Sequence, residues 1–149
     1  MKKMRVKSFS IKSNKNKFII DSDIKLSKAK FIIVPVPYEQ TTSYGKGTAR
    51  GPEGVIKSSL QLELWDEELK ADVYKVGIFT AEDFKYTRNE KEFFENIENY
   101  VSNLINNCDA FPIFIGGEHS ITQGLLPPFY KKYKNFSILH FDAHADLRK

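Results

Sequence analysis

The order of apolar and polar residues along the chain predicts strands that alternate with helices. Short runs rich in β-branched and aromatic residues predict strands at 31–34, 73–79, 111–115 and 136–141. Apolar residues at helical spacing predict a long helix over 87–107, and Gly51-Pro52-Glu53 begins a shorter one. Alternating strands and helices are typical of an α/β fold with a largely parallel sheet.

Local signals predict how the helices begin, end and pack. Thr87 and Glu90 are expected to form a capping box on the long helix. Its apolar face is expected to hold Phe93, Phe94, Ile97, Tyr100, Val101, Leu104 and Ile105. The inner face of the shorter helix is expected to hold Val55, Ile56 and Leu60. A third helix is expected from Ile121 to Leu126, capped by Ser120 and interrupted by Pro127-Pro128.

Less regular segments complete the prediction. Pro35 is expected to end the strand at 31–34, and the stretch 39–51, rich in Thr, Ser and Gly, is expected to be an ordered loop. Weaker patterns predict strands at 4–11, 18–20 and 60–64.

The net charge of +4 is concentrated at the N-terminus. Residues 1–30 hold ten lysines and arginines and two aspartates, a net charge of +8, and the remainder is −4. A basic segment is compatible with binding to nucleic acid or an anionic surface. The lysines alternate with apolar residues, however, and no aromatic platform accompanies them. A solvated strand pair with lysines protecting its edge fits better, so no nucleic-acid partner is expected.

Composition limits the cellular setting. No segment has the roughly 20 apolar residues of a membrane-spanning helix, and the N-terminus lacks the apolar stretch of a signal peptide. We therefore expect no membrane partner and a cytoplasmic location. Cys108 is the single cysteine, so no internal disulfide can form, and it is expected to be a buried, unreactive thiol.

Two polar clusters each follow directly on a predicted strand. Gly116-Gly117-Glu118-His119-Ser120 follows one, and Asp142-Ala143-His144-Ala145-Asp146 follows the other. Because the carboxyl ends of parallel strands meet at one edge of a sheet, where α/β proteins bind ligands, His119 is expected to lie near the second cluster.

The second cluster has the spacing of a metal site. Asp142, His144 and Asp146 alternate, so in an extended segment their side chains share a face at intervals of about 6.6–6.8 Å. With His119 they offer two imidazoles and two carboxylates, which suit Mn, Fe, Co or Zn, and the oxygen share favours Mn. A cap or loop hydrogen bond would explain each residue alone, but not the combination. His140 is expected to be a hydrogen-bonded core histidine or a support for the ligands.

These motifs resemble those of the ureohydrolase family, which comprises arginases, agmatinases and formiminoglutamases. Gly116–Ser120 is similar to the first metal motif of the family and Phe141–Asp146 to the second. Glu118 and Leu147-Arg148 are more similar to agmatinases than to arginases. The stretch Ser43–Thr48, followed by Gly51-Pro52, is similar to the amino-terminal loop of the family, so the resemblance covers about residues 30–149.

The resemblance implies a three-layer α/β/α fold with a mostly parallel sheet, incomplete in this chain. Residues 1–149 would be the amino-terminal part of one domain, with basic strands over 1–28 and an α/β core over 29–149. Two Mn²⁺ ions are implied, with four ligands: His119, Asp142, His144 and Asp146. Asp146 would also be catalytic, accepting a hydrogen bond from the attacking hydroxide. The implied protein is a homo-oligomer in its full-length form and hydrolyses a small guanidino substrate, with agmatine giving urea and putrescine.

The four implied ligands offer at most six donor atoms, and two ions that each prefer about six ligands need more. The resemblance implies two further aspartates, a proton-shuttle histidine and an acidic guanidinium-binding residue downstream, so the chain is expected to be a truncated part with little or no activity alone. The alternatives are an inactive remnant or binding module, and a half that needs a complementary chain. A metal-dependent amide hydrolase of the deacetylase type is disfavoured by the Gly-Gly-Glu-His motif.

Overall fold

A computed structural model describes residues 10–19 and 24–146 of the chain. Its centre is a parallel sheet of β1 (Phe31–Val36), β2 (Ile78–Thr80) and β3 (Phe111–Gly116). The strand order is β2-β1-β3, with β1 paired to both neighbours in parallel. The predicted α/β class and its parallel sheet are therefore confirmed.

Helices lie on both faces of this sheet, namely α1 (Gly51–Ser59), α2 (Glu90–Asn107) and α3 (Thr122–Lys132). Alternate residues of β1, Ile32, Val34 and Val36, are fully buried in one cluster with α2. Ile33 faces the opposite side because side chains alternate along a strand, and α1 contacts β1 and β3. The described part of the chain therefore has three layers, with the largest apolar core between β1 and α2.

The predicted apolar face of α2 is confirmed, but its predicted cap is wrong. The buried residues are Phe93, Ile97, Val101, Leu104 and Ile105, with Phe94 and Tyr100 partly buried. The helix begins at Glu90, and the Asn89 side chain accepts a hydrogen bond from the Glu92 amide at 3.1 Å. Thr87 lies too far upstream to cap the helix, and its hydroxyl contacts the Glu92 carboxylate at 3.3 Å instead.

The predicted inner face of α1 is only partly right. Ile56 is buried, whereas Val55 and Leu60 are 45% and 39% exposed. Pro52 and Ser59 are buried with Ile56, so the face follows a spacing of three to four residues in which Val55 points outward.

Two predictions about proline are wrong. Pro35 lies within β1, which continues to Val36. The Pro35 carbonyl accepts from Phe84 on the side where β2 has already ended at Thr80, so the missing N–H costs no ladder bond. The helix at 122–132 also continues through Pro127 and Pro128. Each proline inside a helix has a local cost of about 3 kcal/mol, and Pro128 is buried where the helix packs.

Several weak patterns do not become strands. Residues 60–64 form a turn and irregular backbone, and the predicted strand at 73–79 is a 3-10 helix, Val73–Val76, followed by β2. Residues 10–19 contain an isolated bridge between Ser13 and Ala81 rather than a strand. The rest of the predicted strands at 4–11 and 18–20 lies outside the described residues.

The largest correction concerns residues 136–141, which form no strand. Leu139 and Phe141 are 80% and 90% exposed, and no described residue pairs with the outer edge of β3. A parallel strand that is apolar on both faces is stable where both faces are covered. The described residues provide no such cover for this segment.

Candidate metal centre

The first metal motif is held by an extension of the sheet. Beyond the end of β3, the Gly117 amide donates to Val36 O at 3.0 Å and the Glu118 amide to Tyr38 O at 2.9 Å. A Cβ on Gly117 would lie 2.0 Å from Tyr38 O, so only glycine permits this close approach of the two chains. The backbone is therefore hydrogen-bonded to the β1 side through Glu118, the residue immediately before His119.

The Glu118 side chain adds four hydrogen bonds to this pairing. Its carboxylate is buried and accepts from the Gln40 amide, from the Thr41 amide and hydroxyl, both at 2.6 Å, and from the Ser120 hydroxyl at 3.0 Å. Burial raises the pKa of Glu118, but the bonds from Thr41, Gln40 and Ser120 together hold that pKa below its ordinary value. Glu118 is therefore a structural anion. Ser120, predicted as a helix cap, binds this carboxylate and lies inside the 3-10 helix His119–Ile121.

Three of the four predicted ligands converge in front of this motif. His119 Nδ1 lies 3.7 Å from Asp142 Oδ2, and His119 Nε2 lies 3.8 Å from Asp146 Oδ2. One donor atom from each of the three residues lies within 4.8 Å of the others. The two distances start from different nitrogens of the His119 ring, only one of which can bind a given ion. Two ligands at about 2.0–2.2 Å from one ion are separated by roughly 3–4.4 Å, so a group within 4.8 Å has nearly the spacing that a shared divalent ion requires.

His144 lies beside this group rather than within it. Its side chain is 82% exposed and its Nδ1 is 3.4 Å from Asp142 Oδ1, whereas His119 approaches the other oxygen, Oδ2. The His144 amide donates to Asp142 Oδ1 at 2.8 Å, a local turn that Asp commonly forms two residues ahead. This amide is the main reason that the pKa of Asp142 is lowered, and the neighbouring histidines lower it further.

His140 is not the core histidine that its place in an apolar run predicted. The residue is exposed because no strand forms at 136–141. Its Nε2 lies 3.0 Å from His144 O, and its ring packs edge-on against the His119 ring, with the two ring centroids 5.4 Å apart. Cys108 is half-buried at the end of α2, and burial raises the pKa of its thiol, which agrees with an unreactive cysteine.

The sequence reasoning missed the residues that support the motif. Gln40 and Thr41 lie in the predicted loop, and their amides bind Glu118. Glu39, at the start of the same loop, accepts from the amides of Gly47 and Ala49 at 2.8 and 3.0 Å. A glutamate that directly precedes a candidate ligand is the one signal that could have indicated such support.

The parallel sheet and the acid–histidine cluster at its carboxyl edge define an α/β protein with a candidate metal centre. The Arginase family model matches residues 29–149. The chain belongs to the arginase family.

Its relatives include an agmatinase from Bacillus cereus, 34% identical over 134 residues, or 89% of this chain and 46% of that protein. An N(1)-aminopropylagmatine ureohydrolase from Synechocystis is 34% identical over 131 residues, or 80% of this chain and 41% of the relative. A crystal structure of a hypothetical agmatinase from Burkholderia thailandensis matches with a TM-score of 0.72 and 27% identity, covering 80% of this chain and 39% of that one. The chain thus spans about half the length of the curated relatives it matches.

The structures support the fold assignment more broadly. The formimidoylglutamase of Bacillus subtilis, at 15% identity and a TM-score of 0.65, shares the fold over 86% of this chain. No helix in the described part of the chain is both long and apolar enough to span a membrane.

Proposed function

We propose that this chain supplies metal ligands and a catalytic carboxylate to a ureohydrolase that splits a guanidino C–N bond into urea and an amine, with agmatine as substrate. The observation that carries the proposal is the convergence of His119, Asp142 and Asp146 within 4.8 Å. Family membership supports it, as do the names of the similar relatives, agmatinase and N(1)-aminopropylagmatine ureohydrolase.

The proposed ligands of two Mn²⁺ ions are His119, Asp142, His144 and Asp146. Two carboxylates and two imidazoles match the donors that Mn²⁺ accepts. Three of them already converge, and the exposed His144 ring would have to turn toward the group to join them. The ions would lower the pKa of bound water from 15.7 toward about 7 and so supply hydroxide near neutral pH.

The residues of the chain carry the remaining steps. The guanidinium carbon is a poor electrophile because its charge is delocalised, so the nucleophile must be oriented as well as activated. The Asp146 carboxylate would accept a hydrogen bond from the hydroxide and hold its lone pair toward that carbon. As the C–N bond of the adduct breaks, the hydroxyl proton would pass to the leaving nitrogen, which gives urea and the amine. No covalent intermediate with the enzyme is needed, which agrees with the raised thiol pKa of Cys108.

The four proposed ligands offer at most six donor atoms, fewer than two ions of about six ligands each require. We therefore expect this chain alone to bind Mn²⁺ but to release little urea. An inactive remnant would bind no metal at this site, whereas a half-site would become active when complementary residues are supplied.

Two measurements test the proposal. Mn²⁺ binding, followed by the electron paramagnetic resonance signal of free Mn²⁺, should be seen for this chain and lost in His119→Ala. A chimera in which residues 29–149 replace the matched part of the Bacillus cereus agmatinase should release urea from agmatine faster than from arginine. A folded chimera without urea release, or a chain with no Mn²⁺ binding, would refute the proposed function.

A further inference from the structure

Glu118 has a degree of burial and bonding that the proposed reaction does not use. The residue is 8% exposed, and its carboxylate accepts four hydrogen bonds from Gln40, Thr41 and Ser120. Taking a carboxylate out of water is costly unless its oxygens are fully hydrogen-bonded, and here both are. A buried carboxylate with four hydrogen bonds, directly beside His119, indicates that the Glu118 side chain has a function.

The bonds of Glu118 continue the pairing of two strands. The backbone of 117–118 pairs with Val36 and Tyr38, two residues beyond the regular β1–β3 ladder. At residues 40 and 41 the two backbones separate, and the carboxylate of Glu118 takes the place of the missing carbonyl acceptors. The loop that begins at Glu39 is thereby tied to the first metal motif.

Glu118 contacts lie on both sides of His119. The Glu118 backbone amide donates to Tyr38 O immediately before His119, and the Glu118 carboxylate accepts from the Ser120 hydroxyl immediately after it. Between these two anchors His119 begins the 3-10 helix His119–Ile121. Rotation of the His119 backbone would break one or both contacts.

We propose that Glu118 is a positioning residue, which directs the His119 imidazole toward Asp142 and Asp146 and ties Gln40 and Thr41 to the first metal motif. The inference rests on the proposed metal site. Loss of a group that orients a ligand typically lowers metal affinity by about 10–100-fold. Aspartate would be a poor substitute, because a side chain shorter by one methylene cannot reach residues 40 and 41 while keeping Ser120.

The experiment compares Mn²⁺ affinity in four variants of the full chain. Glu118→Ala should bind Mn²⁺ at least about 10-fold more weakly, and Glu118→Asp should also be weaker. Glu118→Gln should stay within about threefold of the unsubstituted chain, because its Oε1 still accepts from the two amides while its amide group donates to the hydroxyls. Rescue by glutamine separates positioning from a general effect of negative charge.

Glu39→Ala is the matched control. Like Glu118→Ala, this substitution removes one negative charge. It also removes the two hydrogen bonds that the Gly47 and Ala49 amides donate to the Glu39 carboxylate, but it removes no contact next to His119. Its Mn²⁺ affinity should change less than twofold. If Glu118→Ala does not fold, as judged by circular dichroism, Glu118→Asp takes its place in the comparison.

A second measurement is made without metal. In ¹H–¹⁵N spectra of the histidine rings, the His119 signals should shift in Glu118→Ala and stay in place in Glu118→Gln and Glu39→Ala. Unchanged affinity and unchanged ring signals in Glu118→Ala would overturn the inference, and so would an equal loss in Glu118→Gln. Absence of Mn²⁺ binding by the unsubstituted chain would refute the proposed function instead, and the ring signals would still decide the role of Glu118.

Discussion

The two metal motifs of this chain are held in opposite ways. The first, at 116–120, is paired to the end of β1 through backbone and side-chain hydrogen bonds. The second, at 142–146, follows a segment that forms no strand and is exposed along its length. Its described hydrogen bonds are local, such as the 2.8 Å bond from the His144 amide to Asp142, and it approaches the first motif through His119 at 3.7 and 3.8 Å.

This difference teaches where a metal site obtains its precision. A ligand at the end of a paired strand is placed by the sheet before any ion arrives, as His119 is. Ligands on an exposed segment are brought together by local turns and by the ion itself, so part of the binding free energy is spent on ordering them.

The contrast in packing is tested by alanine at one apolar residue behind each motif. Ile32→Ala, in fully buried β1, should lower the free energy of unfolding by about 2–5 kcal/mol, because it leaves a cavity beside α2. Leu139→Ala, at 80% exposure, should change it by no more than about 0.5 kcal/mol. Urea unfolding followed by circular dichroism measures both. A large loss in Leu139→Ala would mean that the segment at 136–141 is packed in solution, and the contrast would fail.

Backbone pairing at the first motif is tested by two neighbouring glycines. A Cβ on Gly117 would meet the Tyr38 carbonyl at 2.0 Å, whereas a Cβ on Gly116 would meet the flexible end of Ile121 at 2.6 Å. Gly117→Ala should therefore lower the free energy of unfolding by about 1–3 kcal/mol. Gly116→Ala should cost clearly less, because a side chain can move aside more easily than backbone. Equal losses in urea unfolding would show that the approach of Gly117 to Tyr38 is not what holds the motif.

The sequence was informative where the pattern depends on close neighbours in the chain. The apolar face of α2 follows from helical periodicity, and β1 and β3 follow from short apolar runs, which predicted strands at 31–34 and 111–115. The meeting of His119 with Asp142 and Asp146 was predicted, but the rule that parallel strands end at one edge does not explain it, because residues 136–141 form no strand.

The errors arose where distant partners decide the structure. Residues 136–141 have the composition of a strand, but a strand needs a paired edge and covered faces, which a single segment cannot supply. Pro35 is tolerated because β2 ends early, a fact that no local pattern contains. The anchoring of Gln40 and Thr41 by Glu118 joins residues 77 or more positions apart, beyond the reach of periodicity.

The second motif is tested through His144, which lies outside the convergent group. If the ion itself draws this ring inward, His144→Ala should lower Mn²⁺ affinity by about 10-fold or more, the effect of losing one ligand's support. His140→Ala is the control, because that ring contacts His119 but is not a proposed ligand. Titration of Mn²⁺ against both variants measures the effect. A change of less than about twofold in His144→Ala would remove His144 from the ligand set.

The smallest expected effect concerns the loop that faces the first motif. Hydrogen bonds from the Ala49 amide and then the Gly47 amide outweigh desolvation and hold the pKa of Glu39 below its ordinary value of 4.5. A carboxyl group with a lowered pKa in the folded state stabilises the fold above its unfolded pKa and loses that contribution as the pH falls through the folded value. Glu39→Gln should therefore be slightly less stable than the unsubstituted chain at pH 7, and the difference should vanish in more acidic solution.

The measurement is the urea midpoint of both proteins between pH 7 and about pH 3. Glu53→Gln is the control, since the pKa of Glu53 is lowered mainly by the exposed side chain of Lys57, a pairing that salt screens. High salt should therefore reduce the effect of Glu53→Gln more than that of Glu39→Gln, whose partners are neutral amides. A difference that persists unchanged into acid would mean that the charge of the Glu39 carboxylate does not stabilise the loop through Gly47 and Ala49.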